Sequence, residues 1–242
     1  MMKQPRVYVY IFREGDGRTP GERLETAVKE YLKACGKVHG NRCGTDCDKG
    51  SHSDSGNLPE QMLTEKGSQT DIFFVERTET GKPYFPNCPA VQFSISHSGS
   101  YWACAVAAEP VGLDLQEHTT AKNETIEGAS ARFQKMAKRF FHPLEATFVE
   151  LDSYHNFFTV WTAREAYVKY TGQGIDKYFS EHCVAPAEEF WRRISGRNKD
   201  ARWRAMEKSF WKTIYAEQYT LCVCMEAPFE CVIVDGFDGK PK

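Results

Sequence analysis

The longest uninterrupted apolar run in this chain, residues 101–108 (YWACAVAA), is only eight residues long. A helix needs about 18 consecutive apolar residues to cross a bilayer, so this run predicts a buried β-strand and no membrane-spanning segment. The 242 residues suggest one or two domains with enough chain to bury a core. A composition of 41% hydrophobic and 26% charged residues is typical of a globular protein.

The charged residues nearly cancel, since 31 Lys and Arg face 33 Asp and Glu, for a formal net charge of −2. This balance creates no global positive field, so we expect neither a nucleic acid nor an anionic membrane as partner. The first residues, MMKQPR, lack the apolar segment of a secretion signal. The nine cysteines are an odd number, which together with the missing signal predicts reduced thiols in a cytoplasmic protein.

One long polar segment interrupts the regular elements of the first half. Residues 6–12 predict a strand, and the Thr19 and Glu22 pair predicts the capping box of a helix that ends at Gly36. Beyond that helix the chain is rich in Gly, Ser, Asn, Asp and Lys without periodicity. We therefore expect a flexible insertion at about 36–70.

Regular elements return after the insertion and continue through the rest of the chain. Strands are predicted at residues 71–77, 91–96, 101–108, 111–115, 211–217, 219–226 and 231–234, and helices at 123–141 and 158–170. Polarity rises around Thr119 and Thr120, which predicts a boundary between an N-terminal lobe, 1–118, and a C-terminal lobe, 119–242. Because both lobes mix strands with helices, we expect an α/β (α+β) architecture.

Residues 111–116 (VGLDLQ) predict a strand with one apolar and one polar face. The apolar residues would face the core, which leaves Asp114 and Gln116 side by side at an opening. Gly112 would clear space next to them. The alternative is a strand edge that carries two solvated polar residues.

A second candidate site lies on the helix predicted at 158–170. Trp161, Glu165 and Lys169 are successive i, i+4 neighbours and share one stripe of that helix. Glu165 could serve as an oxygen ligand or a base, and Lys169 as an anion contact. The alternative is an ordinary surface ion pair.

The third candidate is the segment FSISHSG, residues 93–99, which follows Lys82 by eleven residues. We interpret Ser96 and His97 as part of a tight, donor-rich loop after a strand. Such a loop beside a lysine suits phosphate oxygens. The alternative is a turn in which His97 hydrogen-bonds the backbone.

Five segments, taken in this order and spacing, resemble the 4′-phosphopantetheinyl transferases of the Sfp type: Gly81-Lys82-Pro83, Ile95-Ser96-His97-Ser98, Val111–Leu115, Lys138–Phe141 with Glu145, and Trp161-x3-Glu165-x3-Lys169. The resemblance covers about residues 81–175. It implies two similar lobes related by a pseudo-twofold axis, with coenzyme A bound between them. It also implies Mg²⁺-dependent transfer of 4′-phosphopantetheine to a serine of an acyl or peptidyl carrier protein, with release of 3′,5′-ADP.

The resemblance also implies roles for individual residues. Asp114 and Glu165 would hold Mg²⁺, Glu165 would be the base, and Glu145 would lie near the metal or the incoming hydroxyl. The phosphate contacts would be Lys82, Ser96, His97 and Lys169, and Lys169 would also assist catalysis. Gln116 stands where many members carry a second acid, so we expect it to contact the metal through water or not at all. Two lobes in one chain favour a monomer.

Two other functions remain compatible with these residues. One is a non-catalytic protein that binds coenzyme A or a nucleotide, with a metal site degraded by Gln116. The other is a metal-dependent phosphoesterase that uses the same acids and His97.

Two further clusters carry weaker signals. Five potential zinc ligands lie close together, but without a Cys-x2-Cys pair they favour an insertion over a zinc site: Cys35, His39, Cys43, Cys47 and His52. Eight basic residues lie within 191–212. They favour a solvated amphipathic helix over a face that guides an acidic carrier protein.

Overall fold

The computed structural model describes residues 4–40, 73–174, 183–184, 210–216 and 218–234. Within them the chain forms nine strands: β1 (Arg6–Arg13), β2 (Glu76–Arg77), β3 (Pro83–Tyr84), β4 (Gln92–Ser98), β5 (Tyr101–Ala107), β6 (Gly112–Glu117), β7 (Phe210–Ala216), β8 (Tyr219–Met225) and β9 (Glu230–Ile233). The helices there are α1 (Pro20–Gly40), α2 (Ile126–Phe140), α3 (Pro143–Leu151) and α4 (Ser153–Thr171). The predicted α/β architecture is confirmed.

Several predictions concern residues outside these ranges. They are the greater part of the insertion at 36–70, three of the five potential zinc ligands (Cys43, Cys47 and His52) and most of the basic stretch at 191–212. Among the helices that the structure describes, none has the length and apolar character needed to cross a membrane.

The described residues form two larger sheets, with the strand orders β4-β5-β1-β9 and β6-β8-β7, and a small two-stranded sheet, β2-β3. β1 runs antiparallel to β5 and parallel to β9, while β6 runs antiparallel to β8. The sheets therefore exchange chain segments. β6 precedes the boundary predicted at 118/119 but pairs with β8, which follows it. β9 follows the boundary but pairs with β1, which precedes it. The division into lobes at that point stays a prediction.

The apolar run predicted as a buried strand forms β5, and it packs on both faces. Ala103, Ala105 and Ala107 belong to the core shared with β6 and β8, where their small side chains allow the two sheets to approach. Trp102 and Val106 point to the other face and pack in the core that includes α1. Burial on both faces explains why this strand is continuously apolar.

Helix α1 begins as predicted and ends later. The Thr19 amide donates to Glu22 Oε2 at 2.7 Å, and the Glu22 amide donates to Thr19 Oγ1 at 3.3 Å, which forms the capping box. The predicted end at Gly36 is wrong, because the helix continues to Gly40. A glycine inside a helix costs about 1 kcal/mol, an amount that the packing of one apolar helix face readily offsets.

The helical region after β6 contains one more helix than predicted. α3 begins at Pro143, with His142 as its N-cap, directly after α2. α4 begins at Ser153 instead of residue 158, since the Asp152 side chain caps it by accepting from the His155 amide. The predicted end of α4 is confirmed: Gly172 adopts φ 70° and its amide donates to the Val168 carbonyl at 2.8 Å.

Gly112 has a different role from the predicted one. A Cβ atom at this position would lie 1.9 Å from the Ala166 carbonyl oxygen and 2.4 Å from the Tyr170 amide nitrogen. The space beside Gly112 is therefore filled by the backbone of α4 rather than left open next to Asp114. Because α4 crosses β6 at this close approach, Glu165 and Lys169 of the helix lie next to Asp114 of the strand.

Candidate active site

A cavity of about 440 Å³ opens where β4, β5, β6 and α4 meet. Six of the eight predicted site residues line it: Ser96, His97, Asp114, Gln116, Glu165 and Lys169. The remaining lining residues are Ile95, Trp102 and Trp161. Segments far apart in the sequence thus supply one polar site.

Asp114 is the centre of this site and is 2% exposed. Its Oδ1 accepts hydrogen bonds from Ser96 Oγ at 2.8 Å and from Lys169 Nζ at 2.7 Å. Its Oδ2 accepts from Gln116 Nε2 at 3.0 Å. A carboxylate loses much hydration when it is buried, and these three donors compensate for that loss. They also orient the carboxylate, which has room for one further contact at Oδ2.

Glu165 differs from Asp114 because its carboxylate makes no hydrogen bond and no ion pair within the described residues. Burial and the negative charge of Asp114 raise the pKa of Glu165, while Lys169 opposes the increase. The two carboxylates therefore repel each other across the cavity. A cation placed between them would relieve that repulsion.

The stripe predicted on the helix lies along one side of the cavity. Trp161, Glu165 and Lys169 all line it, as their i, i+4 spacing requires. The ammonium of Lys169 donates to Asp114 and also to Ser96 Oγ, at 3.1 Å. This lysine therefore connects the helix to both strands of the site.

The segment predicted as a tight loop is instead the end of β4, and the turn comes only at Gly99, where φ is 54°. Alternate serines of β4 point to β6, and the hydroxyl of each accepts a hydrogen bond from a backbone amide of β6. The bonds run from Leu113 to Ser94 at 2.9 Å, from Leu115 to Ser96 at 3.2 Å and from Glu117 to Ser98 at 2.9 Å. We call these three bonds the serine ladder. His97 lies between two of its members and is exposed.

Lys82 lines a second cavity, of about 270 Å³, which shares Ile95 and Lys169 with the first. Its Nζ donates to the Tyr170 carbonyl at 2.7 Å, near the C-terminus of α4. Burial lowers the pKa of Lys82. The structure thus places this lysine beside the main cavity and in contact with the end of the helix that carries Lys169.

Glu145 is not among the residues that line either cavity. It is fully buried, and its Oε2 accepts from Arg164 Nε at 2.8 Å and from the His142 amide at 3.1 Å. Its Oε1 accepts from the Val184 amide at 2.6 Å. The Arg164 guanidinium lies 5.3 Å from the ring centroid of Phe141. The carboxylate is therefore enclosed by α3, α4, His142 before α3 and Val184 after α4, and it lies apart from the cavity that Asp114 and Glu165 line.

The sequence interpretation missed two residues. Trp102 lines the main cavity but lies within a continuous apolar run, where no pattern distinguishes it from a core residue. Arg164 is 2% exposed and forms the buried ion pair with Glu145. Nothing in the sequence pairs Arg164 with Glu145, which lies nineteen residues earlier.

The donor set of the main cavity suits a hard divalent cation. No group of three or more His, Cys, Asp or Glu that could hold a metal occurs in the part of the chain that the structure describes. Two carboxylates are enough for Mg²⁺, because this ion commonly takes one or two carboxylates and completes its shell with substrate phosphates and water. Asp114 and Glu165 meet that requirement.

The site and the surrounding fold define a mixed α/β protein with a paired-carboxylate and lysine cleft between two sheets. Residues 110–224 match the model of the 4′-phosphopantetheinyl transferase superfamily. The chain belongs to this superfamily, and it is of the Sfp type. The matched range contains β6 and α4, and with them Asp114, Gln116, Glu165 and Lys169.

Curated proteins with the same description are similar to this chain. A 4′-phosphopantetheinyl transferase of Bacillus subtilis is 32% identical over 169 residues, which are 67% of this chain. The transferase Sfp of Bacillus subtilis strain 168 is 32% identical over 44% of this chain, and the transferase gsp of Aneurinibacillus migulanus is 30% identical over 48%. The matches cover 66%, 44% and 41% of these relatives' own lengths.

Proposed function

We propose that this protein is a holo-carrier-protein synthase. It transfers 4′-phosphopantetheine from coenzyme A to a serine of an acyl or peptidyl carrier protein and releases 3′,5′-ADP. The observation that carries the proposal is the meeting of Asp114, Glu165 and Lys169 in one cavity, within the segment that matches the superfamily.

The reaction needs a base and positive charge, and the cavity offers both. The serine oxygen forms a bond to the β-phosphorus of coenzyme A, the bond from that phosphorus to the bridging oxygen breaks, and 3′,5′-ADP leaves. Glu165 accepts the serine proton, a role open to it because no group among the described residues hydrogen-bonds its carboxylate. Lys169 lies where its ammonium can contact the diphosphate oxygens.

Asp114 and Glu165 are the residues that would hold Mg²⁺. When bound, this ion supplies charge neutralisation at the diphosphate. Gln116 donates its amide N–H to Asp114 and so holds the first carboxylate in place. Its amide oxygen accepts no hydrogen bond from the described residues and would be available to a water that the metal holds.

The remaining predicted residues take supporting parts in this proposal. His97 is exposed at the main cavity and Lys82 lines the adjoining one, so both can reach phosphate oxygens of coenzyme A. Glu145 anchors α4 through Arg164 and contributes no catalytic group. We also propose that the protein works as a monomer in the cytoplasm.

Intact-mass measurement tests the transfer. An apo carrier protein, coenzyme A and Mg²⁺ are incubated with the protein, and the expected result is a single phosphopantetheine adduct on the carrier. Binding of coenzyme A without an adduct would instead indicate the non-catalytic binder. Release of phosphate or pantetheine phosphate in the absence of a carrier would indicate a phosphoesterase.

Replacing Gln116 by glutamate tests the proposed metal pair. The new carboxylate would lie beside Asp114 and repel it, so we expect a lower melting temperature without Mg²⁺ and a larger gain on adding Mg²⁺ than in the native protein. Transfer should be preserved at saturating Mg²⁺. Gln173→Glu is the matched control, because it adds the same charge at an exposed position outside both cavities. Complete loss of transfer in Gln116→Glu would contradict the interpretation of the amide.

A further inference from the structure

The hydroxyl of Ser96 has no unused hydrogen-bonding capacity. A serine hydroxyl offers one donor and two acceptor lone pairs. The donor is used by Asp114 Oδ1 at 2.8 Å, and the lone pairs accept from the Leu115 amide at 3.2 Å and from Lys169 Nζ at 3.1 Å. A phosphate oxygen can only accept a hydrogen bond, so it could bind Ser96 only by displacing Asp114.

Ser96 is also held in place by the serine ladder. β4 and β6 belong to different sheets, and no backbone pairing joins these two strands. The serine hydroxyls supply the hydrogen bonds that neighbouring strands normally exchange through their carbonyls. Ser96 is the middle member and is 8% exposed, so it has little freedom to rotate toward the cavity. It is also the one member of the ladder that contacts Asp114 and Lys169.

We infer that Ser96 is a positioning residue, which holds Asp114 and Lys169 in their catalytic arrangement instead of contacting the phosphates of coenzyme A. This inference rests on the proposed transferase function and replaces the role that the family resemblance implies for this serine. Through Ser96 the junction between the two sheets determines where the Asp114 carboxylate lies.

Kinetics of Ser96→Ala separate positioning from binding. Loss of a hydrogen bond to a charged group should lower kcat on the order of tenfold to a hundredfold. The KM for coenzyme A and its directly measured Kd should stay unchanged, because the hydroxyl does not contact the ligand. Ser96→Thr retains the hydroxyl and should recover most of kcat. A variant with unchanged kcat, or with a raised KM and Kd at unchanged kcat, would overturn the inference.

Ser98→Ala is the matched control. Ser98 accepts the Glu117 amide at 2.9 Å in the same ladder, but it does not line the main cavity. We expect Ser98→Ala to lower the free energy of unfolding, as Ser96→Ala does, while its kcat equals that of the native protein. An equal fall of kcat in both variants would show that the ladder acts only by holding the sheets together, and the role assigned to Ser96 would be wrong.

A double-mutant cycle tests the same contact without any activity measurement. Free energies of unfolding are measured for Ser96→Ala, Asp114→Asn and their combination, and the cycle is repeated with Ser98→Ala. The first pair should be non-additive and the second additive. If the changes in the free energy of unfolding are additive in both cycles, the inference is overturned, whether or not the native protein is active. Absence of transfer by the native protein would instead refute the proposed function.

Discussion

Glu165→Ala is expected to reduce phosphopantetheine transfer by about 10³-fold or more, because it removes both the base and a metal ligand. Asp114→Ala should cause a comparable loss, since it removes the carboxylate around which the site is organised. Both rates are measured by single-turnover formation of the carrier adduct. We expect Glu165→Ala to keep its fold, because in the described part of the chain no hydrogen-bond partner of this carboxylate would be left unsatisfied.

Glu109→Ala provides the control for this prediction. It removes an exposed carboxylate from the connection between β5 and β6, close in sequence to Asp114 but outside the cavity. Its rate should equal that of the native protein. Near-native turnover in either Glu165→Ala or Asp114→Ala would refute the mechanism.

Arg164→Met is expected to cost about 3–5 kcal/mol of folding free energy, because it leaves the Glu145 carboxylate buried without its counter-ion. Chemical denaturation measures this loss. The double variant Glu145→Gln/Arg164→Met should be more stable than Arg164→Met alone, since it buries no unpaired charge. Any fraction of Arg164→Met that remains folded should bind coenzyme A.

The double variant also separates a structural from a catalytic role of Glu145. If the glutamate only anchors α4, the folded double variant retains most of its transfer activity. A stable and fully folded double variant without activity would show that the carboxylate takes part in the reaction. That outcome would restore the role that the family resemblance implies.

Local sequence patterns predicted the structure correctly where a feature depends on a single strand or helix. The apolar run of β5, the capping box of α1 and the αL glycine after α4 each depend on neighbouring residues, and each matched the structure. The i, i+4 spacing of Glu165 and Lys169 likewise placed both on one stripe. In these cases the geometry of a single strand or helix fixes the relation between side chains.

Relations between elements were not predictable in this way. The serine pattern of β4 suggested a loop that binds phosphate, because nothing in the sequence shows that β6 presents unpaired amides to it. Gly112 suggested an open space, whereas α4 fills that space. The resemblance implies a place for Glu145 near the metal or the incoming hydroxyl, and only the fold shows its buried ion pair with Arg164. Each of these relations depends on a partner supplied by a distant segment.

The parallel pairing of β9 with β1 has a consequence for biosynthesis. Strand β1 completes its hydrogen bonding only after residues 230–233 have been translated. Until then one edge of β1 is exposed, and an unpaired edge strand can pair with other chains. The sheet that contains β1 therefore cannot be completed before β9 has been synthesised, and until then the nascent polypeptide carries a strand edge that must be kept from pairing with other chains.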